Sequence, residues 1–187
     1  IELNGSANLN MQGQSFKLEF YSLKNSQNQS LSTVSAGGMQ VQKSVFNKDQ
    51  GYNVVNGQKI ILSEDELEQA LTDSRLFSEL SYDFEIVKLV GSSTIDNQKV
   101  YEIKISDNNT EYYSIETGLK VKEVENQLID GNQLTIETTI KEYQEINGIL
   151  IPSEINQVTP AVPIPGGITI KFNTIELNVE SFDSDFN

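Results

Sequence analysis

Between Glu111 and Ile155 apolar and polar side chains alternate along stretches broken at evenly spaced turns, and this alternation restricts the fold more than any other feature. Glu116-Thr117-Gly118-Leu119, Asp130-Gly131-Asn132 and Asn147-Gly148 each supply a Gly, or an Asn or Asp beside one, where a tight hairpin needs positive φ. From Gln133 to Tyr143, Leu134, Ile136 and Ile140 fall on one face with Thr138 among them, while Thr135, Glu137, Thr139 and Lys141 fall on the other. A period of two is the mark of a strand with one wet face, and antiparallel sheet follows from it.

The same pattern runs through most of the chain. Ser15 to Leu23 places Phe16, Leu18 and Phe20 on one face; Tyr21 and Leu23 then change phase, which predicts a bulge or bend. After the polar loop Lys24 to Ser30, the stretches Leu31–Ala36, Met39–Phe46 and Gly51–Val55 read as strands, and a two-residue Asn56-Gly57 turn leads into Gln58–Leu62. Ser63 and Glu66 form a Ser-x-x-Glu capping box, which opens a short amphipathic helix with Leu67, Ala70 and Leu71 on one side. Arg75 to Tyr82 either prolongs that helix or forms a second turn carrying Leu76, Phe77 and Leu80 against the same surface. Strands resume at Phe84–Val90, Gln98–Ser106 and Glu111–Ser114. In the last, Ile168 to Val179, a change of parity between Phe172 and Ile175 predicts a bulge near Asn173-Thr174. About ten strands and one helical interruption predict a mainly β fold with minor α, a large curved antiparallel sheet with one or two short helices against it.

Composition bounds the chemistry. A chain of 187 residues is one domain's worth, long enough to bury a core without staples. It contains neither cysteine nor histidine, which excludes disulfides, Ser-His-Asp and Cys-His nucleophiles, and zinc sites built from those ligands. Gly-rich phosphate loops and Ser-x-x-Lys or Gly-x-Ser-x-Gly segments are also missing from the sequence. The acidic groups Glu64-Asp65-Glu66 with Glu68, and Asp183-Ser184-Asp185, lack calcium-loop spacing and read as a solvated helix face and a polar tail. No catalytic residue, metal site or cofactor is expected. A net charge of −14 disfavours nucleic acid and anionic lipid surfaces as partners. The longest apolar runs fall far short of the roughly 20 residues of a membrane-spanning helix, so no transmembrane segment is expected. Ile1 follows no initiator Met or signal-type segment, so any targeting peptide is expected to have been removed or to lie outside these residues.

The order of features resembles the outer-membrane lipoprotein-sorting superfamily, the LolA/LolB-like fold. The resemblance rests on Val41-Gln42-Lys43-Ser44-Val45-Phe46, Gly51-Tyr52, Asn56-Gly57-Gln58-Lys59 before the capped helix, and Leu76-Phe77-Ser78-Glu79-Leu80. It continues through Tyr112-Tyr113-Ser114-Ile115-Glu116-Thr117-Gly118-Leu119-Lys120-Val121-Lys122, Tyr143 to Pro152, and Asp183-Ser184-Asp185-Phe186. More narrowly, the chain is similar to the LolA-like domain at the C-terminal end of insulinase-type zinc peptidase homologues from bacterial envelopes. The resemblance implies a half-open barrel whose apolar concave face, covered by helices, holds a lipid or acyl chain in the periplasm or cell envelope. Two departures stand out. Such domains begin with a helix before the first strand, whereas this chain starts at the strand, so part of the cover is expected to be missing and more chain is expected before Ile1. The apolar, proline-stiffened stretch Val158 to Gly167 also replaces a polar segment.

Candidate ligand-binding residues on this basis are Phe16, Leu18, Phe20, Leu67, Leu71, Tyr101, Ile103, Leu134, Ile136, Val162 and Ile164. For the sheet residues, the competing assignment is filled core. For Val162 and Ile164 it is a connector tucked onto the core. The alternative function is a protein-interaction module of an envelope peptidase or assembly, docking another envelope protein through a sheet edge or the Pro-rich loop. Were a peptidase involved, its metal ligands would lie in another domain.

Overall fold

Hairpin follows hairpin because each turn signal lies between two alternating stretches. A computed structural model describes every residue except 12–13, 76, 130–131 and 161–163. Among the described residues 13 strands form one antiparallel sheet. They are β1 (Glu2–Met11), β2 (Gln14–Lys24), β3 (Ser30–Ala36), β4 (Met39–Phe46), β5 (Gly51–Val55), β6 (Gln58–Ile61), β7 (Lys88–Ile95), β8 (Gln98–Lys104), β9 (Asn109–Ser114), β10 (Lys120–Ile129), β11 (Asn132–Ile146), β12 (Ile149–Val158) and β13 (Ile168–Glu176). Their order, β6-β5-β4-β3-β2-β1-β13-β12-β11-β10-β9-β8-β7, leaves β6 and β7 with one neighbour each, so the sheet is not closed into a barrel. The count exceeds the predicted ten and includes β1, where Leu3, Gly5, Ala7, Leu9 and Met11 alternate with polar residues.

By their own contacts the residues divide into two compact units, Ile1–Leu80 with Lys171–Asn187, and Ser81–Ile170. In the first, the predicted helix forms as α1 (Glu64–Asp73). The Glu66 amide donates to Ser63 Oγ at 3.4 Å and the Ser63 amide donates to Glu66 Oε2 at 2.8 Å, so the capping box is complete. The Ser63 backbone bond holds the Glu66 carboxyl below its usual range. The helix stops at Ser74, whose hydroxyl turns back to the Leu71 carbonyl at 2.9 Å. Asn56-Gly57 and Asn147-Gly148 both have positive φ at each residue, as type I′ hairpins require. The Asp130-Gly131 turn lies outside the described residues.

Four sequence-based expectations change. Strand β2 keeps unbroken register with both neighbours, so Tyr21 and Leu23 do not follow a bulge. They point to the opposite face, which is also apolar there. The Phe84–Val90 strand is instead a turn at 84–86 followed by β7. Asp83 makes that turn, its carbonyl accepting from the Ile86 and Val87 amides at 2.9 Å and its Oδ1 from the Glu85 amide at 2.9 Å. Residues Ser78–Ser81 form a separate 3-10 turn and leave Phe77 and Leu80 exposed rather than packed. Asp183–Phe186 is a 3-10 turn whose Phe186 is only 1% exposed, so it is not a polar tail. The bulge expected near Asn173-Thr174 is present: Asn4 pairs with Thr174 and Gly5 with Phe172, and Asn173 is skipped. No helix of the described residues is long and apolar enough to cross a membrane.

Candidate functional site

In an antiparallel ladder, residues directly opposite one another share a face. This sorts the first unit into two surfaces. On one, Leu23, Leu31, Val45 and Tyr52 lie opposite one another across β2 to β5, and Phe186 buries Leu23 and Val45. The C-terminal turn is tied there by Asn47 Nδ2 donating to the Phe186 carbonyl at 3.0 Å and Gln29 Nε2 to Asp183 Oδ1 at 3.2 Å. That surface is closed core.

The other surface carries Phe16, Leu18 and Phe20. Phe16 lies opposite Leu9, Leu18 between Ala7 and Ala36, and Phe20 between Gly5 and Val34. Across β1, Gly5 faces Phe172, and a Cβ on Gly5 would sit 2.9 Å from the Phe172 ring. Glycine is therefore what lets the Phe172 ring lie across the strand. The result is a floor of Gly5, Ala7 and Ala36 bordered by Phe20, Phe172, Leu18 and Val34. Helix α1 stands on the same surface at its far end, where Phe46 lies opposite Gly51 and a Cβ on Gly51 would meet Leu62 and Leu67 at 2.8 and 3.0 Å. A row of Ser22, Ser32, Ser44 and Asn53 separates that end from Phe20. Phe16 is eight residues along β2 from Lys24, which begins the Phe46 row, or roughly 26 Å at about 3.3 Å per residue. Leu67 and half-buried Leu71 thus wall one end of the surface, and Phe16, 44% exposed, lies at the other.

In the second unit Tyr101, Ile103, Leu134 and Ile136 also fall on one face, but Ile103 and Ile136 have charged row neighbours, and Tyr101 and Leu134 have polar ones. Ile103 lies opposite Glu111, Glu111 opposite Glu123, and Glu125 opposite Ile136. The Glu111 side chain is 2% exposed. It accepts from Tyr82 Oη and Tyr113 Oη, each at 2.5 Å, and from Lys120 Nζ at 2.9 Å. Lys120 also reaches Glu123 at 3.7 Å, and Asn109 Nδ2 donates to Glu123 Oε1 at 2.7 Å. Burial first, then the bonds to Glu111 and Tyr82, pushes the Tyr113 phenol far above its ordinary range. Ile164 is half-buried in a turn closed by the Gly167 amide on the Ile164 carbonyl at 2.9 Å; Val162 lies outside the described residues. Among the described residues no group of His, Cys, Asp or Glu is placed to hold a metal ion.

Val34 and Phe172 are surface members that the strand pattern did not single out. Val34 lay in a predicted strand whose facing was unassigned, and Phe172 needed the pairing of β13 with β1. The alternation placed Phe172 on an apolar face with Ile168 and Ile170 but could not show what that face meets.

No family model matches the chain, and no curated protein matches it. Solved structures do. A LolA superfamily protein from Nitrosomonas europaea superposes with a TM-score of 0.64 at 13% identity, covering 100% of this chain and 89% of that one. A DUF1329 family protein from Desulfovibrio piger gives 0.61 at 13% identity, covering 100% and 88%. A domain named as an outer membrane lipoprotein-sorting protein, from Vibrio parahaemolyticus, gives 0.59 at 11% identity, again covering 100% and 88%. At such identities the likeness is one of fold, and the fold of this chain is that of the LolA superfamily structures.

Proposed function

We propose that this chain is a non-catalytic carrier or sensor of a hydrophobic ligand, a lipid or acyl chain, in the bacterial cell envelope. The ligand lies on the first unit's surface bordered by Phe20, Phe172, Leu18 and Val34, with Phe16 at one end and Leu67 and Leu71 of α1 at the other. The observation that carries the assignment is an apolar surface whose bordering Leu18, Phe20, Val34 and Phe172 stay partly exposed above buried Gly5 and Ala7, while Phe186 closes core on the opposite surface. The LolA superfamily fold, which includes a domain named for lipoprotein sorting, supports the ligand class and the location. A dozen methylenes buried at about 0.8 kcal/mol each supply roughly 10 kcal/mol. An association cost of about 4 kcal/mol, the lower end of its range, leaves about 6 kcal/mol, a dissociation constant of tens of micromolar.

Native mass spectrometry of protein purified from an envelope extract, with an apolar fluorescent dye as a second probe, tests this. Lipid is expected to co-purify, and the dye to bind at micromolar concentration and be lost in Phe20→Asp and Phe172→Asp. Ser22→Asp, on the serine row of the same surface, weakens binding less. Absence of both lipid and dye binding, or Phe20→Asp binding like the parent, would sink the assignment.

A further inference from the structure

The strand at the β7 end of the sheet order is open along its outer edge, and the turn before it is apolar and exposed. Phe84 is 84% exposed, Ile86 56%, Leu89 64% and Val90 58%. This exposure does not come from a slack loop. Tyr82 anchors the segment through its bond to buried Glu111, and Asp83 closes the turn with two bonds to its carbonyl and one to its carboxylate, so Phe84 and Ile86 are held outward. The edge itself has no proline and no acidic residue, and Lys88 is its one charge. Natural edges are usually blunted by charges, proline, bulges or cover, and this strand carries only Lys88 at its start and the bulge at Val90.

We propose that the β7 edge and the Phe84–Val90 apolar residues dock an extended, basic segment of another protein, which adds to the sheet as an antiparallel or parallel strand. The edge amides and carbonyls supply the backbone pairing, and Phe84, Ile86 and Leu89 take the partner's apolar side chains. Charge selects the partner. Asp83 and Glu85 flank Phe84, and the chain as a whole carries −14. A second copy would bring equal negative charge to this patch, its own Asp83 and Glu85 included. An anionic membrane is repelled by the same carboxylates. A cationic strand meets neither obstacle, and Lys88 with Lys104 opposite it directs the partner's cations toward Asp83 and Glu85 at the turn.

The test uses the whole chain and three synthetic nine-residue peptides: one alternating Lys with Val, one with Glu replacing Lys, and the basic one N-methylated at alternate backbone positions. Affinity is read by fluorescence anisotropy and location by hydrogen exchange. The basic peptide is expected to bind at least tenfold tighter than the acidic and N-methylated ones and to protect Lys88–Ile95. Phe84→Ala with Ile86→Ala should weaken it at least tenfold with unchanged circular dichroism, and Glu85→Lys should narrow the basic-over-acidic preference. Phe20→Asp, which abolishes the proposed lipid binding, should leave the peptide untouched, so the two ideas fail separately. Equal affinity for all three peptides overturns the proposal. So does protection that maps elsewhere, β7 protection that rises with protein concentration alone, or binding to phosphatidylglycerol vesicles through Phe84.

Discussion

Replacing Phe186 by Ala measures how far the C-terminal turn is part of the core. The side chain is 1% exposed and rests on Leu23 at 5% and Val45 at 1%, with Tyr21, Leu31 and Tyr52 partly buried around it. Phe→Ala in a rigid core costs about 3–5 kcal/mol, the spread reflecting how well the site collapses. Three of the five walls are partly exposed and can move into the gap, which places this site near the lower end, about 3 kcal/mol. The bond from Asn47 to the Phe186 carbonyl uses the backbone and survives the substitution, so the loss reports packing. With no tryptophan in the chain, urea unfolding is best followed by far-UV circular dichroism. At an m-value of about 1–3 kcal/mol per molar urea, the midpoint should fall by roughly 1 M or more. Phe186→Leu, closer in volume, should cost under about 1.5 kcal/mol. If Ala shifts the midpoint by less than about 0.3 M, or if Leu and Ala cost the same, Phe186 does not close this core.

Alkaline pH should weaken the fold through Tyr113. Its folded pKa is raised above the ordinary phenol value near 10, so its contribution is complete below that value and is lost as pH rises beyond it. Urea midpoints taken from pH 8 to 11 should fall above pH 10 and fall less steeply in Tyr113→Phe; Tyr21 and Tyr112, also raised by burial, account for a remaining slope. A slope identical in Tyr113→Phe would contradict the assignment. Gly51→Ala should loosen α1 from the sheet, because the added methyl meets Leu62, Leu67 and Phe46 at 2.8 to 3.0 Å. A cost of about 1–3 kcal/mol and faster hydrogen exchange across Glu64–Asp73 are expected; unchanged exchange would show that the helix yields freely.

Local rules carried a large share of this architecture. The alternation in β11, the two Asn-Gly turns, the capping box and the bulge at Asn173 all follow from residues within a few positions of one another. What the pattern left open is pairing across distance. Asn173 Nδ2 donates to Ser6 Oγ at 3.3 Å over 167 positions of chain, and no periodicity announces that β13 will lie beside β1. The same gap explains β2. A period of two tells which residues share a side of one strand and is silent about what covers that side, so Tyr21 and Leu23 looked like a phase error when they were the floor for Phe186. The burial of Glu111 was only half legible: its donors Tyr113 and Lys120 are two and nine positions away, but Tyr82 is 29 positions upstream.

The buried carboxylate also decides between two surfaces that sequence alone treated as equal. Hydrocarbon gains about 0.8 kcal/mol for each methylene it buries, provided the surface it covers is apolar. Laid over Ile103 and Ile136 it would also strip water from Glu123, Glu125 and the exposed part of Lys120, and desolvating an ion costs several kcal/mol even when it is paired. Several methylenes per charge would be needed to offset that loss. Over Gly5, Ala7 and Ala36, bordered by Phe20 and Phe172, no charge intervenes, and the neighbouring polar groups are uncharged: Gln42 opposite Val34 and the serine hydroxyls one row away. A hydrophobic ligand is therefore favoured on the first unit's surface. The Glu111 cluster serves instead to pin Tyr82 and hold the turn that follows it in place.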